Sequence, residues 1–449
     1  MMASTFLLLA GVCSANSAQN QTQTMPVRVP APWTVEVGPG SVTAADKEIR
    51  LGEAVRLSIS PPARVEIHDE CYADVPRFNP EQGGWRKGAR LRGLITEECT
   101  ATGALHPATL RLKAAPGNSP AFDLDADYSL DPFWGTFGTL EGGKIAANQT
   151  LYVDYAYDLS RLDSVVVDGS GTARIVAGQP GLGSVLPPTL GLGEISIANI
   201  WVPSGTQQLS EENLYPIEFG DPMKPGPTES VAERLLPRTL AKLRAGDEVT
   251  IVAWGDSVTH GGGVGAQVQL WYQNQFADRL RARFPKARVR MLTAGWPGAG
   301  SKQYLEAPAG GTYDFGRDVL LPKPDLVTIE FVNDAYLDEG GTQTHYGEIL
   351  RRLTEVGAEV ILITPHLVRP DWMKVSTLKF DDDPRPYVKG LRNFAAANNV
   401  ALADASKDWC QLWRRGIPYV TLEANSINHP DARGHAIFAD ALMGLFPAE

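Results

Sequence analysis

The C-terminal half of this chain predicts a parallel, doubly wound α/β sheet, and the N-terminal half predicts an all-β domain. From about residue 249 onward, five short apolar runs alternate with stretches of helical periodicity. Strands in that rhythm pair in parallel through helical crossovers. Residues 25–225 instead carry short period-2 runs between Gly, Pro, Thr and Ser clusters, the pattern of a sandwich or barrel. At 449 residues the chain exceeds what one hydrophobic core supports, which fits a division into two domains.

In the N-terminal half the clearest strands are 54–59, 150–155, 164–168 and 194–198. Residues 178–188 form a loop punctuated by Pro and Gly. Residues 206–230 are polar and Pro-rich and read as a linker. Ser230 is placed to cap a helix. The domain beyond it, residues 230–449, starts with a strand at 249–253 and a helix at 267–284. Strands at 288–292 and 325–330 come next. A helix at 346–356, a strand at 359–364, a helix at 386–398, a strand at 400–403 and a closing helix at 432–445 complete the series.

Residues 1–18 read as a signal peptide, because the apolar core Phe6–Val12 is followed by small residues around Ala15 and Ala18. A basic n-region is missing, and Val12 stands where a lipobox before Cys13 needs a small residue. The expected location is therefore secreted or periplasmic. No other apolar stretch approaches the ~20 residues of a membrane span. The net charge of −11, without a basic run, argues against nucleic acid and anionic membrane surfaces as partners. Cys71 and Cys99 could pair in an oxidising compartment, and Cys410 reads as a buried thiol. No CxxC or HExxH spacing occurs, so neither a metal nor a cofactor is expected.

Four loops carry chemistry, each directly after a predicted strand or before the last helix. The first is Gly255-Asp256-Ser257, which sets a hydroxyl at a strand end where open α/β sheets bind ligands. Its frame differs from the Gly-x-Ser-x-Gly elbow, and the following Gly261-Gly262-Gly263 lacks the Gly-Lys-Ser/Thr of a phosphate loop. The second contains Trp296 and Gly298, where a backbone N–H can approach a developing oxyanion. The third is Asn333-Asp334, whose amide can donate to the same oxyanion. The fourth is His429-Pro430, a histidine suited to general-base work on a serine. Each alone fits an ordinary turn, but a doubly wound sheet brings all four to one edge.

Their order and wording resemble the SGNH (GDSL-type) hydrolase superfamily over about residues 247–446. Gly255-Asp256-Ser257 looks like its first block, Gly298 fits the second, Asn333-Asp334 the third and His429-Pro430 the fifth. The resemblance implies a flavodoxin-like three-layer sheet, with Ser257 as nucleophile and His429 as base. It also implies an oxyanion hole of Ser257, Gly298 and Asn333. Thr293 and Pro297 replace the Asn and Ser of the second block, and Phe331 replaces the glycine of the third. The aspartate that usually stands three residues before the histidine is replaced by Ser426. His429 is then oriented by Asn425, Ser426, a backbone carbonyl or Glu423, or else the pair works as a dyad.

Asp256, His260, Trp296, Asp334 and His366 are candidate substrate contacts, and His435 reads as a helix residue. Trp254, Trp296 and Trp372 can stack on a sugar, although aromatic residues flanking strands are more often core. The favoured reading is a secreted carboxylic ester hydrolase acting on an acylated small molecule or polysaccharide, removing acetyl groups. A lipase or general acyl esterase is the second reading. A catalytically impaired carbohydrate-binding protein is the third. The β-rich half could bind glycan, oligomerise or narrow the site.

Overall fold

The computed structural model describes residues 22–44, 47–218 and 229–448, so the signal peptide expected at 1–18 and the middle of the expected linker lie outside the described residues. The chain divides into two compact units, Met1–Pro222 with Trp413–Ser426, and Met223–Leu412 with Ile427–Glu449. The expected C-terminal boundaries therefore need one correction: residues 413–426 belong to the first unit. The reason is backbone pairing. Glu218 N donates to Arg414 O at 2.7 Å and Val185 N to Thr421 O at 3.1 Å. The Asn199 amide donates to Gly416 O at 2.8 Å.

The first unit is mainly β, with its strands distributed over six small antiparallel sheets among the described residues. They enclose two separate apolar cores. One gathers Val35, Val37, Val165, Ile197 and Ile200. The other gathers Leu91, Leu94, Leu112, Phe137 and Val153. Lys113 is buried beside the second, and its ammonium donates to Asp69 Oδ1 (2.6 Å), Asp154 Oδ2 (2.6 Å) and Gly117 O (2.9 Å). All three donors are used, which is what makes a buried ammonium tolerable. Cys71 and Cys99, whose pairing the sequence left open, are both free thiols. Cys71 is exposed on the strand Ala63–Tyr72, opposite Tyr152. Cys99 is buried and its thiol donates to Asn425 O at 2.8 Å. Burial pushes that thiol up to about 12.

The second unit is the predicted doubly wound sheet. Its strands are β1 (Glu248–Gly255), β2 (Arg288–Gly295), β3 (Leu326–Glu330), β4 (Glu359–Ile363) and β5 (Ala401–Ala403). They pair in parallel in the order β2-β1-β3-β4-β5. The flanking helices are α1 (Tyr272–Arg283), α2 (Ser301–Glu306), α3 (Glu339–Glu355), α4 (Pro386–Asn398) and α5 (Ala432–Met443). Side chains alternate across a strand. Val252, Trp254, Val327 and Ile329 thus meet Tyr346, Ile349 and Phe394 of α3 and α4 on one face. On the other face α1 packs against α5, with the Tyr272 and Phe438 rings 5.5 Å apart. With both faces covered, β3 and β4 are buried along their whole length, as parallel strands must be.

Register then positions the site. Gly255 stands opposite Gly295 in β2 and opposite Glu330 in β3. Three strands end level, so the loops after them open on one edge. No helix among the described residues is long and apolar enough to cross a membrane.

Candidate active site

β1 stops at a residue that has to be glycine. A Cβ on Gly255 would stand 2.3 Å from the Glu330 carbonyl oxygen and 2.1 Å from Thr259 Oγ1. The chain turns there and presents Ser257, 8 % exposed, at the edge. His429, on the loop before α5, places Nε2 3.0 Å from Ser257 Oγ, within reach for proton transfer. Gly298 follows β2 with a φ of +79° and open space around its Cβ position. Its glycine is therefore required by backbone conformation and not by crowding. Asn333 follows β3, and its amide donates to Ala299 O at 3.3 Å.

Two buried carboxylates tie these loops together. Asp256 accepts from Val258 N at 3.1 Å and from Asn333 N at 3.0 Å, joining the loop after β1 to the loop after β3. Asp334 accepts from Ser301 N (2.9 Å), Ser301 Oγ (2.5 Å) and Tyr346 OH (2.9 Å), joining the loop after β3 to α2 and α3. The Ser301 proton is committed to Asp334, so His345 Nε2, 2.6 Å from Ser301 Oγ, must donate. Ser301 with His345 and Asp334 is thus a buried brace, not a second nucleophile.

Burial also sets the charges. It pushes the Asp256 carboxyl up to about 7, against the two N–H groups that favour its ionised form. Glu330 is raised well above the carboxylate range by burial first, then by the charges of Asp256 and Asp334. Both Glu330 oxygens are buried without a hydrogen-bond partner. Asp334 is raised by burial despite its three donors.

His429 rests on the glycine-rich loop. A Cβ on Gly262 would stand 2.9 Å from His429 Cδ2, and one on Gly263 2.0 Å from Pro430 O. The loop is itself pinned, because Gly262 N donates to Ser257 O at 2.8 Å. His435 Nδ1 accepts from Tyr272 N at 3.2 Å, so its Nε2–H donates to Gly262 O at 2.9 Å.

Three expected substrate contacts are corrected by their burial. Asp256, Asp334 and His366 are 0 % exposed and bond to protein groups, so they build the walls of the site and do not touch substrate. His260 is exposed, and Trp296 is half-buried with its ring stacked on Tyr313 at 4.4 Å. Trp254 is core, whereas Trp372 is exposed beside the Arg369 guanidinium. Glu423, Asn425 and Ser426 lie in the segment assigned to the first unit. The Asn425 amide donates there to Glu98 at 2.9 Å, and Ser426 takes a φ of +61°. Sequence reasoning passed over Ser301, Tyr346, His345, Glu330 and the role of Gly262. Only Gly262 had left a signal, the glycine run whose purpose is room for an imidazole.

Residues 253–437 match the model of the GDSL-like Lipase/Acylhydrolase family. The match lies within the C-terminal half of the chain. Among solved structures, this chain is similar to a two-domain esterase active on acetylated mannans, at 20 % identity and a TM-score of 0.37, covering 46 % of this chain and 51 % of that one. The chain thus spans about half the length of that esterase. An acetyl-xylooligosaccharide esterase from Geobacillus stearothermophilus matches at 18 % identity and a TM-score of 0.35, over 44 % of this chain and 93 % of that one. An α/β hydrolase from the metagenome of Lake Arreo, Spain, matches at 22 % identity and a TM-score of 0.34, over 43 % and 93 %. No curated protein matches the chain.

Proposed function

We propose that the protein is an exported serine ester hydrolase that removes acetyl groups from a carbohydrate through an acyl-enzyme on Ser257. The observation that carries the reading is the 3.0 Å approach of His429 Nε2 to Ser257 Oγ, at the level ends of three parallel strands.

His429 takes the Ser257 proton as Oγ attacks the ester carbonyl carbon. The carbonyl π electrons move to oxygen, and the N–H groups of Ser257 and Gly298 with the Asn333 amide hold that oxyanion. Each such donor lowers the barrier by roughly 3 kcal/mol. The tetrahedral adduct collapses, the C–O bond to the sugar breaks, and His429 returns its proton to the leaving alkoxide. Water, deprotonated by His429, then attacks the acyl-enzyme and releases acetate and Ser257.

A sugar substrate is supported by exposed aromatic side chains in the segments after β3 and β4. Tyr336, two residues past Asp334, is 64 % exposed, and Trp372 is 49 % exposed. Exposed aromatic faces suit the face of a pyranose. The proposed export rests on the leader at 1–18.

Hydrolysis of a short-chain and a long-chain chromogenic ester, with Ser257→Ala as control, tests the reading. Short-chain turnover that disappears in Ser257→Ala is expected. Absence of Ser257-dependent turnover on both esters would overturn the hydrolase reading, and a long-chain preference would replace deacetylation with lipase action.

A further inference from the structure

We propose that His366 is a positioning residue for His429, holding the peptide that precedes the base; this rests on the hydrolase reading above. His366 lies in Thr364-Pro365-His366-Leu367-Val368-Arg369-Pro370, directly after β4, between two prolines that keep the segment out of helix and ladder. Its Nε2 stands 2.7 Å from the carbonyl oxygen of Asn428. A carbonyl only accepts, so Nε2 carries the proton. Nδ1 is buried with no hydrogen-bond partner, so nothing draws the proton to the other nitrogen. Burial first, and then the Arg385 charge, keeps the ring neutral by holding its pKa well below the usual histidine range.

The ring and its backbone are both fixed. Trp409 and Phe438 lie 5.5 and 5.9 Å from the ring. Arg385 Nη2 donates to the carbonyls of Pro365 (3.0 Å) and His366 (2.8 Å), and Asp383 holds the guanidinium through Nε (2.9 Å) and Nη2 (2.6 Å). Three residues further on, Arg369 N donates to Ile427 O at 2.9 Å. Two successive carbonyls, Ile427 and Asn428, are thus tied to one rigid segment.

The Asn428 carbonyl belongs to the planar peptide whose nitrogen is that of His429. Fixing it removes one rotation from the His429 backbone and sets the direction of Cα–Cβ. With Gly262 against the ring, that direction decides where Nε2 points.

Three variants test this: His366→Gln, whose amide still donates, and His366→Phe and His366→Met, which do not. Steady-state kinetics on a short-chain ester, melting curves and ring 15N spectra of His429 are the readouts. Loss of the donor is expected to lower kcat about 30-fold or more with KM little changed, since a misplacement near 1 Å costs up to 10²-fold. His366→Gln is expected to return most of kcat, and His429 ring signals are expected to move in Phe and Met and to return in Gln. If Phe fails to melt cooperatively, Met serves as the variant without a donor. A folded donor-free variant with unchanged kcat, or a Gln variant as impaired as Met, would overturn the proposal. Wild type without Ser257-dependent turnover would overturn the hydrolase reading instead, and the ring signals would still decide whether His366 positions His429.

Discussion

Gly262 shows how one missing methyl group can serve a site. Its N–H holds Ser257 O, its carbonyl receives His435, and the space where a side chain would stand is taken by the His429 ring. Gly262→Ala is expected to keep the fold and displace the imidazole, lowering kcat at least about tenfold with little change in KM. Single-turnover kinetics checks this, and an unchanged acylation rate would show that the loop accommodates the methyl. Ser257 and His429 were legible in the sequence because strand-end placement depends on the order of elements, which periodicity reveals. The burial of Asp256, Asp334 and His366 was not. Which way a polar side chain turns beyond a strand end is decided by N–H groups tens of residues away.

Among elements, α2 and α3 illustrate what periodicity misses. The sequence places the third-layer helix at 346–356, whereas α3 begins at Glu339. Gly340 and Gly341 hide the first turn, which is set by Asp338 accepting from Gly341 N at 2.7 Å. α2 is six residues long and has no apolar stripe to read, yet Asp334 holds its first turn through Ser301. Asp334→Ala would leave the buried Ser301 N–H without its acceptor and the Tyr346 hydroxyl with Tyr387 alone. A buried group left without its partner costs about 1–3 kcal/mol. A lower urea midpoint is expected, together with a fall in kcat as the loops bearing Gly298 and Asn333 loosen. A midpoint equal to wild type would show that water or neighbouring groups replace the carboxylate. The apolar strands were read closely, since burial on both faces writes itself as a continuous run, as in 359–363.

At the scale of the molecule, three buried acids give stability a pH dependence of definite sign. Asp256, Glu330 and Asp334 all hold their protons more tightly folded than unfolded. The unfolded chain releases them near pH 4. Above that, these three groups hold more protons in the native state than in the unfolded state, so their contribution to stability falls as pH rises. For Asp256 the loss runs through about 7. Glu330→Gln removes one of these groups without changing its shape. Its melting temperature is expected to match wild type near pH 4 and exceed it near pH 8, measured by calorimetry. A variant less stable than wild type at pH 8 would mean that the ionised Glu330 is stabilised by its surroundings. The two-part plan was legible from composition and rhythm, but the return of residues 413–426 to the first unit was not, because nothing local marks a segment whose partners lie two hundred residues earlier.

That return makes the chain a splice of four pieces. A single break in the linker would leave the first unit without Trp413–Ser426, and Asn199, Val185 and Glu218 would lose the carbonyls they bond. The other fragment would carry Tyr419 and Leu422, both buried in the intact chain, on an unpaired strip. Neither half can therefore be exchanged, trimmed or inherited as a contiguous module, and any recombination that preserves one must carry a short insert from the other.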